Sequence, residues 1–505
     1  MLPVAAERTQ ALNLAYQHYV GRYAMNEPIP GRAFLGSGHT RRDMLKTAGA
    51  LALSAMAGGM LAACASEEDA GPGGPAGPGT GAPAETFTEP TRRLSGELTI
   101  LLWSHFVPSH DTWFDRFVAD WGQKVGVTVK VDHIDQAQIT TRVAAEVSAG
   151  QGHDLIQFIA PLSQFEPSVL DLKDVTTEAN GRFGSQLELC QKSSFNPATG
   201  KYYAYSPGWV PDPGNYRKSL WEPVGFPNGP TTWDELLEGG REIKSSQGIQ
   251  MGLGMSQEID SNMVLRALMW SYGASIQDES SKVVINSPET VAAIEFMARL
   301  FRDTMTNEVF AWNAASNNQG LVAGKLSYIV NSISAWRTAQ GTNPDVANDV
   351  YFVPALKGPV RSIAAQHVLY NWIIPSHARN ADAAKEFLLH YTENYAAATY
   401  ASKLYDFCAY ADRTPQLEGW LNSDPFGSNP ANRLAFLKDA TDWSTNIGYP
   451  GPANTAEGEV FNTFIIPNMF ARVARGEQSA AASVAVAEQA VNAVFDKWRA
   501  QGLIG

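Results

Sequence analysis

From residue 98 onward the apolar positions of the chain keep switching between two rhythms. Residues 98–103 (LTILLW) form a nearly continuous apolar run, as expected of a strand covered on both faces. Trp113, Phe114, Phe117, Val118 and Trp121 then recur at helical spacing. A strand at 127–131, a helix over 138–149 stopped by Gly150, and a third buried strand at 154–159 follow. This strand–helix alternation predicts a parallel sheet with helices on its faces. Further along, Thr232 reads as an N-cap with Asp234 and Glu235 in the first turn. Ser287 and Pro288 open another helix, striped by Val291, Ile294, Met297 and Phe301. A strand at 324–330, an extended piece at 351–355 and a capped helix over 380–391 come next. The last forty or so residues are Ala-rich and mostly helical, and no fixed-period repeat is visible.

The first ninety residues follow neither rhythm. Arg41 and Arg42 are adjacent, with Leu45 and Lys46 just beyond, and residues 47–63 are small and apolar. That run is short and weakly hydrophobic for a membrane span, which needs about 20 apolar residues. Basic flank, apolar stretch and small-residue exit describe an export signal, here resembling the twin-arginine type. It ends in Leu61-Ala62-Ala63-Cys64, similar to a bacterial lipobox, which makes Cys64 the expected acylated first residue of a membrane-anchored chain. Ten of the thirteen residues in 71–83 are Gly or Pro, so 64–94 is expected to be a disordered tether.

Charge narrows the class. The chain has 505 residues, 38 basic against 51 acidic, a net −13, and loss of 1–63 would deepen this to −16. Such a balance argues against nucleic-acid binding. Three cysteines (Cys64, Cys190, Cys408) cannot build a disulfide framework or an obvious zinc set. Cys190 and Cys408 are expected to be reduced and buried, with a disulfide between them the alternative that an oxidising compartment permits. No H-E-x-x-H, C-x-x-C, G-x-S-x-G or phosphate-loop motif occurs. Hence no catalytic residue, cofactor or metal is expected.

Residues 202–207 (YYAYSP), 215–221 (NYRKSLW), 224–226 (VGF) and 230–236 (PTTWDEL) stand in an order and spacing that carry a resemblance. Supporting pieces are 148–156 (SAGQGHDLI), Ser287-Pro288-Glu289, Ala323-Gly324-Lys325, Ile374-Pro375 and 380–384. From about 97 to the end the chain resembles a family 1 extracellular solute-binding protein of bacterial ABC transporters, the maltose- and oligosaccharide-binding group. It departs from that pattern in the Pro-rich 208–214, in His153 for the common Pro, and in Ser219 for the common Asp.

The resemblance implies an α/β, two-lobe periplasmic-binding-protein (type II) fold with a hinge and an interlobe ligand cleft. Lobe 1 would comprise 95–207 and 358–412, and lobe 2 213–352 and 413–505. Crossings are expected near 206–213, 352–358 and 413–415. It also implies an extracytoplasmic, monomeric sugar binder that delivers its ligand to ABC permease subunits. A tethered sensor or chemoreceptor ligand carrier, or a secreted carbohydrate-active enzyme, stays open as an alternative.

Ligands of open α/β sheets sit beyond the carboxyl ends of strands. A pyranose offers apolar C–H faces and a hydroxyl rim, which aromatic platforms and Asp, Asn, Gln or His side chains complement. The candidates are therefore Trp103, Ser104, His105, Trp209, Asp212, Ser256, Gln257, Trp312, Asn313, Trp336, Tyr370, Trp372 and Tyr449. Trp113, Trp121 and Trp233 sit on helical stripes and are expected in the core.

Overall fold

The computed structural model describes residues 81–505. Arg41, Arg42 and Cys64 lie outside the described residues. The first sheet starts with β1 (Gly96–Trp103), α1 (Ser109–Val125), β2 (Val127–Ile134), α2 (Gln136–Ala149) and β3 (Leu155–Phe158). β1 runs parallel to β2 from Gly96 opposite Val127 to Trp103 opposite Ile134, and parallel to β3 through Ile100 and Leu155. Gly150 stops α2 in the left-handed region at φ 62°.

The chain then passes through a short strand, β4 (Gly208–Val210), into a second layered unit. This holds β5 (Gly214–Arg217), α3 (Trp233–Gln247), β6 (Gln250–Gly252), α4 (Ile259–Ser271), β7 (Leu326–Val330) and β8 (Val350–Val353). Thr232 caps α3 in a reciprocal capping box with Glu235, and Ser287 caps the helix Pro288–Thr304. The second sheet has the order β8-β5-β7-β6. It is mixed rather than parallel: β5 runs antiparallel to both neighbours, and only β6 parallels β7.

The return leg supplies β9 (Val368–Leu369), β10 (Asn371–Ile373), α5 (Ala381–Glu393) and β11 (Phe407–Cys408). β10 joins the first sheet antiparallel to β3. A buried carboxylate fixes that return. Asp154 accepts from the Thr99 backbone N–H and hydroxyl on β1 and from the Arg379 and Asn380 N–H groups just before α5. One side chain thereby ties three separated stretches into one lobe.

Two expected boundaries shift. The second crossing comes later than 352–358, because Lys357 N–H donates to the Thr231 carbonyl and Val360 N–H to that of Ser271. The chain stays with the second lobe to about residue 363. At the other end, residues 85–94 are no tether. Thr86 N–H donates to Asn394 Oδ1 at 2.6 Å, Thr91 reaches Glu386, and Phe87 packs edge-on against His390. Leu94 is buried in the core, so this strap lies along α5.

Trp121 and Trp233 are buried and Trp113 packs partly against the core, as their stripes predict. Cys190 and Cys408 are free thiols, and burial pushes both pKa values up. No helix among the described residues is long and apolar enough to cross a membrane.

Candidate functional site

Between the two large sheets the chain crosses through a small antiparallel sheet, β4 flanked by β9 and β11. Trp209 at its centre faces Leu369 on one side and Phe407 on the other. Gly208 starts β4 because any Cβ there would lie 1.7 Å from the Tyr395 hydroxyl oxygen. Outside this hinge sheet the lobes touch: Ser163 Oγ donates to the Asn454 carbonyl, and Ala453 N–H to that of Lys192.

Two residues past β4 and one before β9, Asp212 and His367 meet at 3.0 Å, both buried. Burial works against the charged imidazole, but the Asp212 carboxylate, helped by Asp260 and Glu258, outweighs it and raises the His367 pKa. Glu258 caps α4 by accepting the Asp260 and Ser261 N–H groups, and Asp260 accepts from Asn317. Burial, with the charge of a neighbouring carboxylate, pushes Glu258 and Asp260 up. Gln366, next in sequence to His367, is fully buried with neither end of its amide hydrogen-bonded, and the Tyr405 hydroxyl is also unpartnered. A solute hydroxyl could satisfy both groups, since an amide and a phenol each donate and accept.

On the first lobe's rim, just past β1, His105 Nε2 lies 3.0 Å from the Tyr370 hydroxyl and 3.2 Å from Asp406 Oδ1. Trp103 stacks on this imidazole at 4.8 Å and the Tyr405 ring meets it edge-on at 5.2 Å. Tyr405 also meets His367 edge-on, at 6.2 Å. It therefore joins the rim of lobe 1 to the hinge pair.

The sequence candidates divide. Trp209, Asp212, His105, Trp103 and Tyr370 belong to this strip. Ser104 is exposed, its N–H held by the Ile134 carbonyl. Ser256 Oγ donates to the Trp312 carbonyl, and Trp312 packs over Gly252 of β6. Gln257 and Asn313 are exposed; Asn313 serves the turn before Ser316 through the Ala315 N–H. Tyr449 packs edge-on against Trp270 beneath the Arg361 guanidinium.

Two tryptophans are core rather than cleft. Trp372 packs among Phe114, Phe387 and Tyr391 on the helix-covered face of the first sheet. Trp336 donates its indole N–H to the Ala347 carbonyl and packs on Phe352. Sequence reasoning missed His367, Gln366, Glu258, Asp260, Tyr405 and Asp406. The signal available was position: each stands within two residues of a hinge strand or at the start of the helix following β6.

Comparison with known proteins agrees with this architecture. The profile of the family described as bacterial extracellular solute-binding protein matches residues 108–398. A Brucella abortus protein provisionally described as a binding protein is 25% identical over 175 residues, 34% of this chain and 42% of that protein. The chain thus spans less than half the length of the curated relatives it matches.

Among solved structures, a Synechococcus protein provisionally described as an oligosaccharide periplasmic-binding protein, in complex with zinc, aligns with TM-score 0.68 at 18% identity. A sugar transporter from Arthrobacter chlorophenolicus with bound laminaribiose gives 0.66 at 16%, and maltose-bound MalE3 of Thermotoga maritima 0.64 at 20%. Each alignment covers 79% of this chain and 99% of the other. At these identities the likeness establishes the two-lobe fold.

Proposed function

Because the chain belongs to the bacterial extracellular solute-binding protein family, we propose that it captures a saccharide between its lobes and presents the closed form to an ABC importer. The observation that carries this reading is the cluster at the crossings. The unpartnered Tyr405 hydroxyl lies near the carboxylates of Asp212 and Asp260, the unpartnered Gln366 amide belongs to the residue next to His367, and Trp209 lies at the centre of the hinge sheet. Amide and hydroxyl match a sugar's hydroxyl rim, and an indole face matches its C–H face. Laminaribiose and maltose in two neighbours of like fold support the saccharide class.

Closure follows from differential affinity: a ligand touching both lobes favours the closed population, and one touching a single lobe does not. Export by the twin-arginine signal and acylation at Cys64 would hold the protein on the outer face of a membrane, within reach of permease subunits. Cys64→Ser would then release an unacylated chain, read by mass and membrane fractionation.

The deciding experiment is calorimetry of ligand-stripped protein against mono-, di- and trisaccharides. At least one should bind without turnover, and Gln366→Ala and Asp260→Asn should each weaken it at least tenfold while the fold holds. Absence of binding across the panel, or release of a hydrolysis product, overturns the reading.

A further inference from the structure

We propose that His105, His110 and Asp406 hold a divalent transition-metal ion, zinc in the first instance, at the base of the hinge. All three side chains are buried, and their candidate ligand atoms lie within 4.8 Å of one another. His105 Nε2 is 3.2 Å from Asp406 Oδ1, and His110 Nε2 is 3.5 Å from Asp406 Oδ2. Ligand atoms about 2.0–2.1 Å from a tetrahedral zinc stand about 3.3 Å apart. These two contacts are near that spacing; the cluster as a whole spans up to 4.8 Å and the His105 and His110 rings stack at 4.3 Å, so an ion would draw the rings round toward it.

Hydrogen bonding alone leaves the cluster incomplete. Neither ring nitrogen of His110 has a hydrogen-bond partner, and Asp406 Oδ2 has none, although all three atoms are shut off from solvent. Each such atom forfeits its hydration without compensation. A cation between them satisfies His110 Nε2 and Asp406 Oδ2 together.

The surroundings of His105 supply what a metal-bound imidazole needs. A histidine ligating through Nε2 must carry its proton on Nδ1 and donate it outward. His105 Nδ1 lies 3.2 Å from the Val107 carbonyl, which can accept that proton, whereas His110 Nδ1 stands 3.9 Å from the Asp111 carboxylate and would need a small shift to donate to it. Without metal the other His105 tautomer is available, since Val107 N–H can donate to Nδ1 and Nε2–H can then point at Asp406. Metal binding would select between two tautomers that the same backbone accommodates. The Tyr370 hydroxyl lies 3.0 Å from His105 Nε2 and donates to Asp406 Oδ1, so it orders the carboxylate that would ligate the ion. Two imidazoles and a carboxylate, with no thiolate, form a set suited to zinc over the softer copper(I).

The ion would pin the β1–α1 loop to the residue before β11, giving the hinge strand a fixed footing on lobe 1. His105 and Tyr370 also belong to the strip described above, but the metal site rests on its own contacts and its test reads metal binding rather than sugar binding.

The test uses protein stripped with EDTA, exchanged into metal-free buffer and titrated with ZnCl2. The expected result is one equivalent bound per chain at micromolar or lower concentration, with the melting temperature raised by at least 5 °C. Co2+ in its place should give the intense visible absorption of a four-coordinate N/O site. His110→Asn and Asp406→Asn should abolish both signals, and His133→Asn, outside the cluster, should keep them. If the cluster variants do not fold, anomalous scattering from zinc-loaded wild-type crystals decides. A peak among the three side chains supports the site. No binding, a peak elsewhere, or undiminished binding in folded His110→Asn overturns it.

Discussion

Asp212 and His367 stand 155 residues apart in sequence and 3.0 Å apart in the fold, one on each of two neighbouring hinge crossings. The pair makes stability depend on pH in a definite direction. A raised His367 pKa means its contribution is complete below the ordinary imidazole value of 6.5 and is lost as pH climbs through the folded value. Glu258 and Asp260, also raised, act in the same sense: the folded chain keeps protons that the unfolded chain has released. The urea midpoint should therefore fall between pH 5.5 and 8.5, and fall less steeply in His367→Asn. A flat or rising midpoint would contradict the assignment.

Glu146 gives the opposite limb. His153 Nδ1 lies 2.8 Å from its carboxylate, His153 N–H donates to it at 2.9 Å, and Arg142 donates at 2.6 Å. Burial opposes these bonds, yet they hold the Glu146 pKa down at about 2. Its stabilisation is thus full above about 4.5 and lost as pH falls toward 2. His153→Ala should cost about 1.5–3 kcal/mol at neutral pH and make the acid loss shallower, measured by thermal melts from pH 3 to 7. An unchanged acid limb would show that Arg142 alone suffices.

Trp372→Ala and Trp336→Ala remove large, fully buried side chains from within the lobes. Each should cost about 3–5 kcal/mol and leave saccharide affinity within a few-fold in the fraction that folds. Denaturation and calorimetry on the same preparations separate the two effects. A tenfold loss of affinity with unchanged stability would return these indoles to the cleft.

Gly208→Ala places a methyl group where the Tyr395 ring already stands. Overpacking of this kind costs about 1–3 kcal/mol. Adding Tyr395→Ala should recover part of that cost, so the two changes will be non-additive in a double-mutant cycle. Strict additivity would mean that the strand moves aside instead.

Much of the fold was legible because it rests on local chemistry. The strands 98–103 and 127–131, the capping box at Thr232, the Ser287-Pro288 helix start and the Gly150 stop all stand where the pattern puts them. The second crossing was expected near 352–358, where Gly358 is small for a reason of packing: a Cβ there would come within 2.5 Å of the Ser271 hydroxyl. Trp372 was misread because residues 369–374 are buried on both faces, so alternation carries no sign of which face meets the cleft. Asp212 was found from its place past a strand, but its partner His367 was not, since nothing local links the two. The unpaired Gln366 amide is a property of packing and has no trace in the sequence.

The strap at 85–94 has a mechanical consequence. It grips α5, an element of the first lobe, through Thr86 and Asn394, Thr91 and Glu386, and the ring of Phe87 on His390. Any force entering from the N-terminal side is borne by lobe 1 before it reaches the hinge. The strap thus ties the first described residues to one helix of lobe 1 and to no element of the hinge sheet.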